Sequence, residues 1–473
     1  MASAPPSAAA APPLSLRAYL ALGLLLRLPA VFAADGFEFV DQQYQYVDPA
    51  WHLATGQAWH VTWEWIDGVR SHVYPGLLAG LFVVLRPLVG DEPATLLGAV
   101  RACHAIASLL PLWLFWLSVV RWWPVASTRL PLLLFAGSGL LVTTGVQPSG
   151  PALAATLAVA AALAVQGPRA FPWLGGLLLG LAFACRFQEA LFGPALLAVL
   201  LVQRRRGAAC AFACGCVPGI LLQGGVDLAV HGRFLASVTG YVSTNLEGAA
   251  VKWKQQPWWF YLAAGVLPVL ALVPPWWRAA WRRAVAGARV LPAAAAAGLL
   301  HIAVHSCLAR KALRFEYGAL AMLTAVAAAG LAAAPLAGER LAVWHRRALA
   351  AVHAVLWLYA SFWFGNAGAV RMARALRGDP GLAHELVVVD GDATSLGGYF
   401  HLRPPADCAV RVPRAELAAR LRRAPPPAGA LVVAVREPLA DDLLREFALA
   451  PAGAFTGQFD LRTGERRFVY RRR

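Results

Sequence analysis

The chain has 473 residues, of which 59% are hydrophobic and 14% charged, and its formal net charge is +17. Soluble domains carry about 25% charged residues, so this composition excludes an ordinary globular enzyme, a secreted disulfide scaffold and a disordered chain. Residues 366–473 hold 17 Arg and 12 Asp or Glu in 108 positions, whereas residues 1–365 hold the other 38 of the 67 charged residues. We therefore predict a membrane domain over 14–365 and a soluble domain over 366–473.

Residues 1–13 are rich in Ala, Pro and Ser and predict a disordered tail. The apolar runs that follow are long enough to cross a bilayer and predict about eleven transmembrane helices. Arg27 interrupts the first run, which favours a retained helix over a cleaved signal peptide. The runs lie near residues 14–34, 73–90, 94–119, 130–146, 150–166, 172–202, 208–229, 259–277, 291–306, 314–336 and 348–365.

Three Arg-rich connections, at 204–206, 278–289 and 340–347, predict the topology. Basic loops stay in the cytoplasm, and eleven spans from a cytoplasmic N-terminus place all three there. The same count predicts that loop 35–72 and the C-terminal domain lie on the opposite face. Because the Arg residues lie mainly between apolar runs, we expect no nucleic-acid partner.

The C-terminal segment has the pattern of a small α/β domain. Short buried strands are predicted at 386–389, 431–435 and 468–470, and residues 414–423 and 439–448 have helical spacing. Asp390 and Asp392 follow a strand and could bind a metal, but turn residues at a strand end are the more common case.

Loop 35–72 is the most informative segment. Its 38 residues, DGFEFVDQQYQYVDPAWHLATGQAWHVTWEWIDGVRSH, concentrate aromatic, acidic and His side chains between two apolar runs. Long loops tend to be functional, and Trp and Tyr are common at a membrane interface without a further role. Carboxylates close to a span are costly to place there, so the acids indicate a site.

This loop resembles the first luminal loop of glycosyltransferase family 22, the Alg9-like and GPI-anchor-type mannosyltransferases that use polyprenyl-phosphate mannose. The family pattern is roughly D-E-x-[FW]-[NQ]-x-x-E-x-x-H, then T-W-E-[WY], then R-S-x-x-[YH]-P. Gln42 replaces the family's Glu and His52 comes one residue late, so the chain resembles a divergent member. The matching positions are Asp41, Tyr44, Gln45, Asp48, His52, 62–65 and 70–75.

Further matches follow in the family's order. CRFQEALFGP contains Arg186 and resembles an intramembrane Arg followed by Pro; VDLAVHGRF contains Asp227; QPWWFYL contains Tyr261. RKALRFEY resembles H-K-E-x-R-F and keeps Lys311 and Arg314. In that last motif, Arg310 and Ala312 replace the family's His and Glu.

Glycosyl transfer from a lipid phosphate needs a base for the acceptor hydroxyl. The resemblance implies that Asp41 is this base, with Asp48 and Glu64 as alternatives or as acceptor-orienting groups. A structural alternative for Asp48 and Glu64 is that they pair with Arg70 and hold the loop.

The leaving phosphate needs cations, because clustered cations stabilise developing phosphate charge. We expect Lys311 and Arg314 to supply them, although snorkelling at the interface is an alternative. Arg186 lies deep in an apolar run, so we expect a buried partner such as Asp41 or Asp227. Arg70, His52 and Trp63 complete the predicted substrate contacts. No metal ion or cofactor is expected.

The resemblance implies an all-α, multi-pass GT-C architecture of about eleven transmembrane helices with a small extracytoplasmic α/β domain. It further implies transfer of mannose, with inversion, from a polyprenyl phosphate to a glycolipid or glycan. A GT-C transferase of arabinose, glucose or aminoarabinose and a lipid-linked sugar flippase are the alternatives. Composition favours a bacterial inner membrane with a periplasmic site, or the endoplasmic reticulum in a eukaryote.

Overall fold

The computed structural model describes residues 14–122, 128–167, 170–246, 255–334, 340–362, 365–391, 393–456 and 466–473. The predicted tail 1–13 and Asp392 therefore lie outside the described residues. The chain forms two units: the first comprises 1–30, 102–147 and 151–361, and the second comprises 31–101, 148–150 and 362–473.

The described chain is mostly helical. Its α-helices are Leu16–Leu25, Leu28–Ala33, Val40–Gln42, Asp48–Thr55, Trp63–Ile66, Val73–Val89, Pro93–Ala107, Leu109–Trp116, Arg129–Ala136, Gly139–Val146, Gly150–Ala164, Pro172–Cys185, Phe192–Val202, Arg206–His231, Ala236–Leu246, Leu267–Leu270, Trp277–Val290, Pro292–Ser306, Tyr317–Ala333, Arg340–Phe362, Ala367–Leu376, Tyr399–Leu402, Arg414–Arg423 and Asp441–Glu446. Segments of π-helix are Gln43–Val47, Leu117–Trp122 and Leu262–Val266, and 3₁₀ turns are Phe187–Leu191, Leu313–Glu316, Pro380–Ala383 and Ala393–Leu396.

Several of these helices are long and apolar enough to cross a membrane. Within the described residues there are five such helices, or up to seven if each of two bent pairs is one span. Four shorter apolar helices accompany them, so the predicted count of eleven spans stays a prediction. The five are Leu16–Ala33, Pro93–Trp122, Arg206–His231, Leu313–Ala333 and Arg340–Leu376; the bent pairs are Arg129–Ala136 with Gly139–Val146 and Trp277–Val290 with Pro292–Ser306; the shorter helices are Val73–Val89, Gly150–Ala164, Pro172–Cys185 and Phe187–Val202.

One predicted apolar run and one predicted Arg-rich connection differ from the observed helices. The run 259–277 is helical from Phe260 to Leu270, and Ala271 then adopts a left-handed conformation with φ of 47°; the next helix begins at Trp277. The predicted Arg-rich connection 278–289 lies instead within the helix Trp277–Val290. Arg283 of that helix is buried and donates hydrogen bonds to the carbonyl oxygens of Ala334 and Ala342. Since Arg283 satisfies two carbonyl groups, its role in this unit is structural.

In the first unit, helices Pro172–Cys185 and Arg206–His231 pack closely through glycines. A Cβ on Gly176 would lie 2.0 Å from the carbonyl oxygen of Phe212, and a Cβ on Gly219 would lie 2.1 Å from the carbonyl carbon of Gly180. Small residues let membrane helices approach backbone to backbone. This pair therefore depends on the absence of side chains at its crossing.

The second unit contains a five-stranded sheet in the order β2-β1-β3-β5-β4. Strand β1 pairs in parallel with β2 and β3, and β5 pairs antiparallel with β3 and β4. The three predicted strands correspond to β1, β3 and β5, whereas β2 and β4 were not anticipated. The strands are β1 Leu386–Val389, β2 Ala409–Val412, β3 Leu431–Val435, β4 Leu449–Phe455 and β5 Arg467–Arg472.

Helices cover both faces of this sheet. Leu386 and Val388 pack with Met372 on one face, and Val387 and Val389 pack with Leu417 on the other. The parallel strands β1 and β3 carry apolar side chains on both faces, as is usual where helices cover parallel strands on both sides. The α/β architecture predicted for the C-terminal segment is thus confirmed. Asp390, at the end of β1, pairs with Arg414 at 2.7 Å.

Candidate active site

Asp41 is the second residue of the helical segment of the informative loop in the second unit. Val40–Gln42, the π-helical Gln43–Val47 and Asp48–Thr55 follow one another without interruption. The segment ends at Gly56, whose φ of 71° suits glycine at a helix C-terminus. Asp41 is half-buried and lies in the first turn, where a negative charge is favoured by the helix dipole.

Asp48 is fully buried, and its carboxylate accepts three hydrogen bonds. The backbone N–H groups of Tyr399 and Phe400 donate at 2.9 Å each, and Gln43 Nε2 donates at 2.7 Å. Burial raises the pKa of Asp48 to about 6, although the donors from Phe400, Tyr399 and Gln43 act to lower it. Within the second unit, Asp48 therefore fastens the loop helix to the helix Tyr399–Leu402.

Glu64 belongs to a second polar network of the same loop. Its Oε1 accepts a hydrogen bond from Gln45 Nε2 at 2.7 Å and lies 3.4 Å from Arg70 Nη2. The side chain is buried. This pairing with Arg70 is the structural alternative that the sequence predicts for Glu64.

The other predicted substrate residues of the loop differ in exposure. His52 Nδ1 lies 2.8 Å from the carbonyl oxygen of Gln57, and its ring stacks on Trp59 at 5.7 Å. Trp63 is 40% exposed. Trp63 is therefore accessible at the surface, whereas His52 supports the end of the loop helix.

A groove of about 540 Å³ lies in the second unit beside the loop helix. Trp51 forms part of its wall with Phe82, and Arg86 and Asp91 also line it. The guanidinium of Arg403 lies 4.6 Å from the Trp51 ring centroid. Nothing in the sequence distinguishes Trp51, because aromatic residues are frequent throughout this loop.

In the first unit, Arg186 interrupts the apolar run 172–202. Its extended backbone separates the helix Pro172–Cys185 from the 3₁₀ turn Phe187–Leu191. Its Nη1 lies 3.4 Å from Glu189 Oε1 and donates to the carbonyl oxygen of Arg314 at 3.2 Å.

The buried partner of Arg186 in the first unit is thus Glu189, three residues later in the chain. The prediction that Asp227 would be this partner is wrong. Asp227 is buried and accepts hydrogen bonds from the backbone N–H and the hydroxyl of Ser237. The spacing of i and i+3 on one turn was the available signal for Glu189.

Three guanidinium groups surround the ring of Phe315. Those of Arg186, Arg310 and Arg314 lie 5.4, 5.8 and 5.5 Å from its centroid. Arginine is favoured for binding phosphate because its planar fork donates two hydrogen bonds. This arginine cluster therefore has the chemistry that a lipid phosphate requires.

Lys311 lies one residue after Arg310, and its side chain is largely buried. Its Nζ donates to the carbonyl oxygen of Gln256 at 3.0 Å and to that of Leu308. The neighbouring N–H of Ala312 donates to the hydroxyl of Tyr261 at 3.1 Å. The Lys311 ammonium is thus held by backbone oxygens beside the arginine cluster.

The family model for Alg9-like mannosyltransferases matches residues 19–378. The chain belongs to the Alg9-like mannosyltransferase family. The resemblance predicted from the loop motifs is thereby confirmed. Since this family consists of membrane proteins and several apolar helices are long enough to span a bilayer, this member is a multi-pass integral membrane protein.

Two curated relatives are both named GPI mannosyltransferase 3. The protein from Drosophila melanogaster is 26% identical over 261 residues, which cover 53% of this chain and 44% of the relative. The protein from Gibberella zeae is 34% identical over 103 residues, which cover 20% of this chain and 17% of the relative. This family member thus spans less than half of the length of the curated relatives it matches.

Solved structures of ArnT from Cupriavidus metallidurans have a similar fold. The structure bound to undecaprenyl phosphate has a TM-score of 0.59 at 14% identity, over 96% of this chain and 97% of ArnT. The apo structure has a TM-score of 0.57 over 96% of each chain. The predicted GT-C architecture of this Alg9-like family member is confirmed.

Proposed function

We propose that this chain transfers a mannosyl residue from a polyprenyl phosphate to a glycan or glycolipid acceptor. The family membership and the names of the two relatives support mannose as the sugar and a GPI-type glycolipid as one acceptor class. The complex of ArnT with undecaprenyl phosphate supports a polyprenyl phosphate as the carrier.

The observation that carries the assignment of the base is the difference in burial among the three loop acids. Asp48 is fully buried with three hydrogen bonds, and Glu64 is buried with Gln45 and Arg70. Asp41 is half-buried and is thus the most accessible of the three. A base must reach the acceptor hydroxyl, so Asp41 is our candidate.

In the proposed reaction, the Asp41 carboxylate takes the proton of the acceptor hydroxyl. The acceptor oxygen forms a bond to the anomeric carbon while the bond from that carbon to the phosphate oxygen breaks. Polyprenyl phosphate leaves with the electron pair, and a single in-line displacement inverts the anomeric configuration. The charge that develops on the leaving phosphate needs cations, and the family's motif order supports Arg186, Lys311 and Arg314 for that role.

We place the reaction on the face opposite the Arg-rich segments 204–206 and 340–347, which is the periplasm in a bacterium. The positive-inside rule supports this orientation. Asp48 and Glu64 act, in this proposal, by holding the loop that carries Asp41. Arg70 and His52 support the loop, and Trp63 offers an aromatic surface to the sugar.

The test is transfer from radiolabelled polyprenyl-phosphate mannose by the full chain in proteoliposomes, with products identified by mass spectrometry. Asp41→Asn should reduce transfer by about 100-fold or more, since general base catalysis contributes that much. Asp67→Asn is the matched control, because Asp67 is an exposed acid of the same loop. Full activity of Asp41→Asn would remove Asp41 as the base.

The same assay separates the alternatives. Polyprenyl phosphates of arabinose, glucose and aminoarabinose are offered in parallel, and a higher rate with one of them would replace mannose as the transferred sugar. A fluorescent lipid-linked sugar reports movement between leaflets. Movement without any transfer product would show a flippase instead of a transferase.

A further inference from the structure

Three buried side chains of the first unit form a cluster that the proposed reaction does not use. His301 and His305 lie four residues apart on the helix Pro292–Ser306, and Glu316 ends the 3₁₀ turn Leu313–Glu316. The exposed fractions are 0% for His301 and Glu316 and 3% for His305. Residues at i and i+4 share one helix face, so both imidazoles point to the same side.

The distances within the cluster suit a small cation. His301 Nδ1 lies 2.9 Å from Glu316 Oε2, and His305 Nδ1 lies 3.3 Å from Glu316 Oε1. One ligand atom from each of the three residues can be chosen so that all lie within 4.8 Å of one another. Ligands bound tetrahedrally at the usual zinc distances lie roughly 3.3 Å apart, so small side-chain adjustments would complete a site.

The surroundings of the histidines support metal binding. The Nδ1 of His305 also lies 3.1 Å from the carbonyl oxygen of His301. In the tautomer that donates from Nδ1 to this carbonyl, Nε2 holds the lone pair, so His305 would bind an ion through Nε2 and not through Nδ1. The ring of His301 stacks on Phe192 at 4.4 Å and on His305 at 4.2 Å, which limits how far it can rotate.

A second carboxylate borders the same space. Glu189 is 1% exposed, and its Oε2 has no hydrogen-bond partner within the part of the chain that the structure describes. That oxygen lies 3.4 Å from the point where a Cβ on Gly318 would stand, two residues after Glu316. Two buried carboxylates and one guanidinium, that of Arg186, leave a net negative charge when both acids are ionised, and a buried charge needs compensation.

We propose that His301, His305 and Glu316 bind a Zn²⁺ ion. Two imidazole nitrogens and one carboxylate oxygen form a recurrent zinc donor set, which leaves a fourth position for water. Glu189 Oε2 would accept a hydrogen bond from that water. The ion would fix the turn that carries Arg314 to the helix Pro292–Ser306, and this inference holds whichever sugar the protein transfers.

The test is the metal content of the full chain, purified in detergent and measured by mass spectrometry. We expect about one zinc per chain. After chelation, titration with Zn²⁺ should raise the unfolding temperature, and Co²⁺ in its place should give the visible absorption bands of a tetrahedral site. A chain that contains no stoichiometric zinc and takes up neither ion would overturn the proposal.

Two variants locate the ion. Glu316→Gln keeps the shape and the hydrogen-bonding oxygen, and His305→Gln removes an imidazole; each should lower bound zinc at least tenfold. His353→Gln is the control, because His353 is buried in the same unit and its Nε2 lies 3.3 Å from the carbonyl oxygen of Val269. Zinc retained at the wild-type level by both cluster variants would exclude this site. If either variant fails to fold, Co²⁺ binding by the wild-type chain decides the question.

Discussion

The hydrogen-bonded carboxylate of Asp48 predicts a specific dependence of stability on pH. Burial raises its pKa to about 6 in the folded chain, against 3.8 for the ordinary carboxyl. Because the folded state binds the proton more tightly, the charged form costs stability above pH 6. That cost decreases as the pH falls through 6 and is absent below about 4. The folded arrangement around Asp48 should therefore be more stable at pH 5 than at pH 7, because the buried carboxyl is then mostly uncharged.

The magnitude follows from the pKa. Between pH 7 and pH 5, a group with a folded pKa near 6 contributes about 1.4 kcal/mol, a factor of ten in the opening equilibrium. The amides of Tyr399 and Phe400, which donate to Asp48, report this opening directly. Hydrogen exchange of the peptide that contains them, corrected for intrinsic exchange, should show roughly tenfold higher protection at pH 5.

Asp48→Asn provides the comparison, because asparagine does not titrate. The NH₂ group of asparagine would also face the N–H groups that donate to the Asp48 carboxylate, and two donors cannot hydrogen-bond to each other. Protection of the Tyr399 and Phe400 amides should therefore be lower at both pH values. The tenfold change between pH 5 and pH 7 should vanish. An equal pH dependence in the wild type and in Asp48→Asn, or a wild type more protected at pH 7, would refute the reasoning.

Two other predictions concern the first unit. Arg186→Gln leaves Glu189 buried without its cation and removes one guanidinium from the ring of Phe315. We therefore expect the rate of mannosyl transfer to fall at least tenfold, with partial rescue by Arg186→Lys. Unchanged kinetics would argue against a phosphate contact by Arg186. Gly219→Ala places a Cβ 2.1 Å from the Gly180 backbone and should lower the unfolding free energy by about 1–3 kcal/mol, whereas Gly225→Ala in the same helix meets nothing within 4 Å. Thermal unfolding in detergent compares the two glycine variants, and equal melting temperatures would contradict the close packing.

Much of the fold follows from short-range patterns in the sequence. The strands at Leu386–Val389 and Leu431–Val435 agree with their predicted limits, and the helix Arg414–Arg423 agrees with its spacing. Such elements can be predicted from the sequence because their apolar periodicity extends over only a few neighbouring residues. Helix lengths were less predictable where backbone conformation interrupts an apolar run, as at Arg186 and Ala271.

The candidate site was likewise predictable from the sequence only in part. Its residue types were evident from loop 35–72 and from RKALRFEY, because acids and cations beside apolar runs stand out and follow the family's order. The role of each residue was less evident. The hydrogen bonds that occupy the carboxylate of Asp48 come in part from Tyr399 and Phe400, which lie some 350 positions further along the chain. The sequence of the loop alone therefore could not separate Asp48 from the other loop acids.

The sequence by itself determined the membrane character, the family and the helical and strand content, because these depend on local composition and on motif order. The tertiary structure decided which polar side chains meet. Segments 31–101 and 362–473 fold into one unit, and His301 and His305 meet Glu316 at the end of a turn. Neither grouping has a local signature, since hydrogen bonds and ion pairs form between atoms that packing brings within a few ångströms, whatever their separation along the chain.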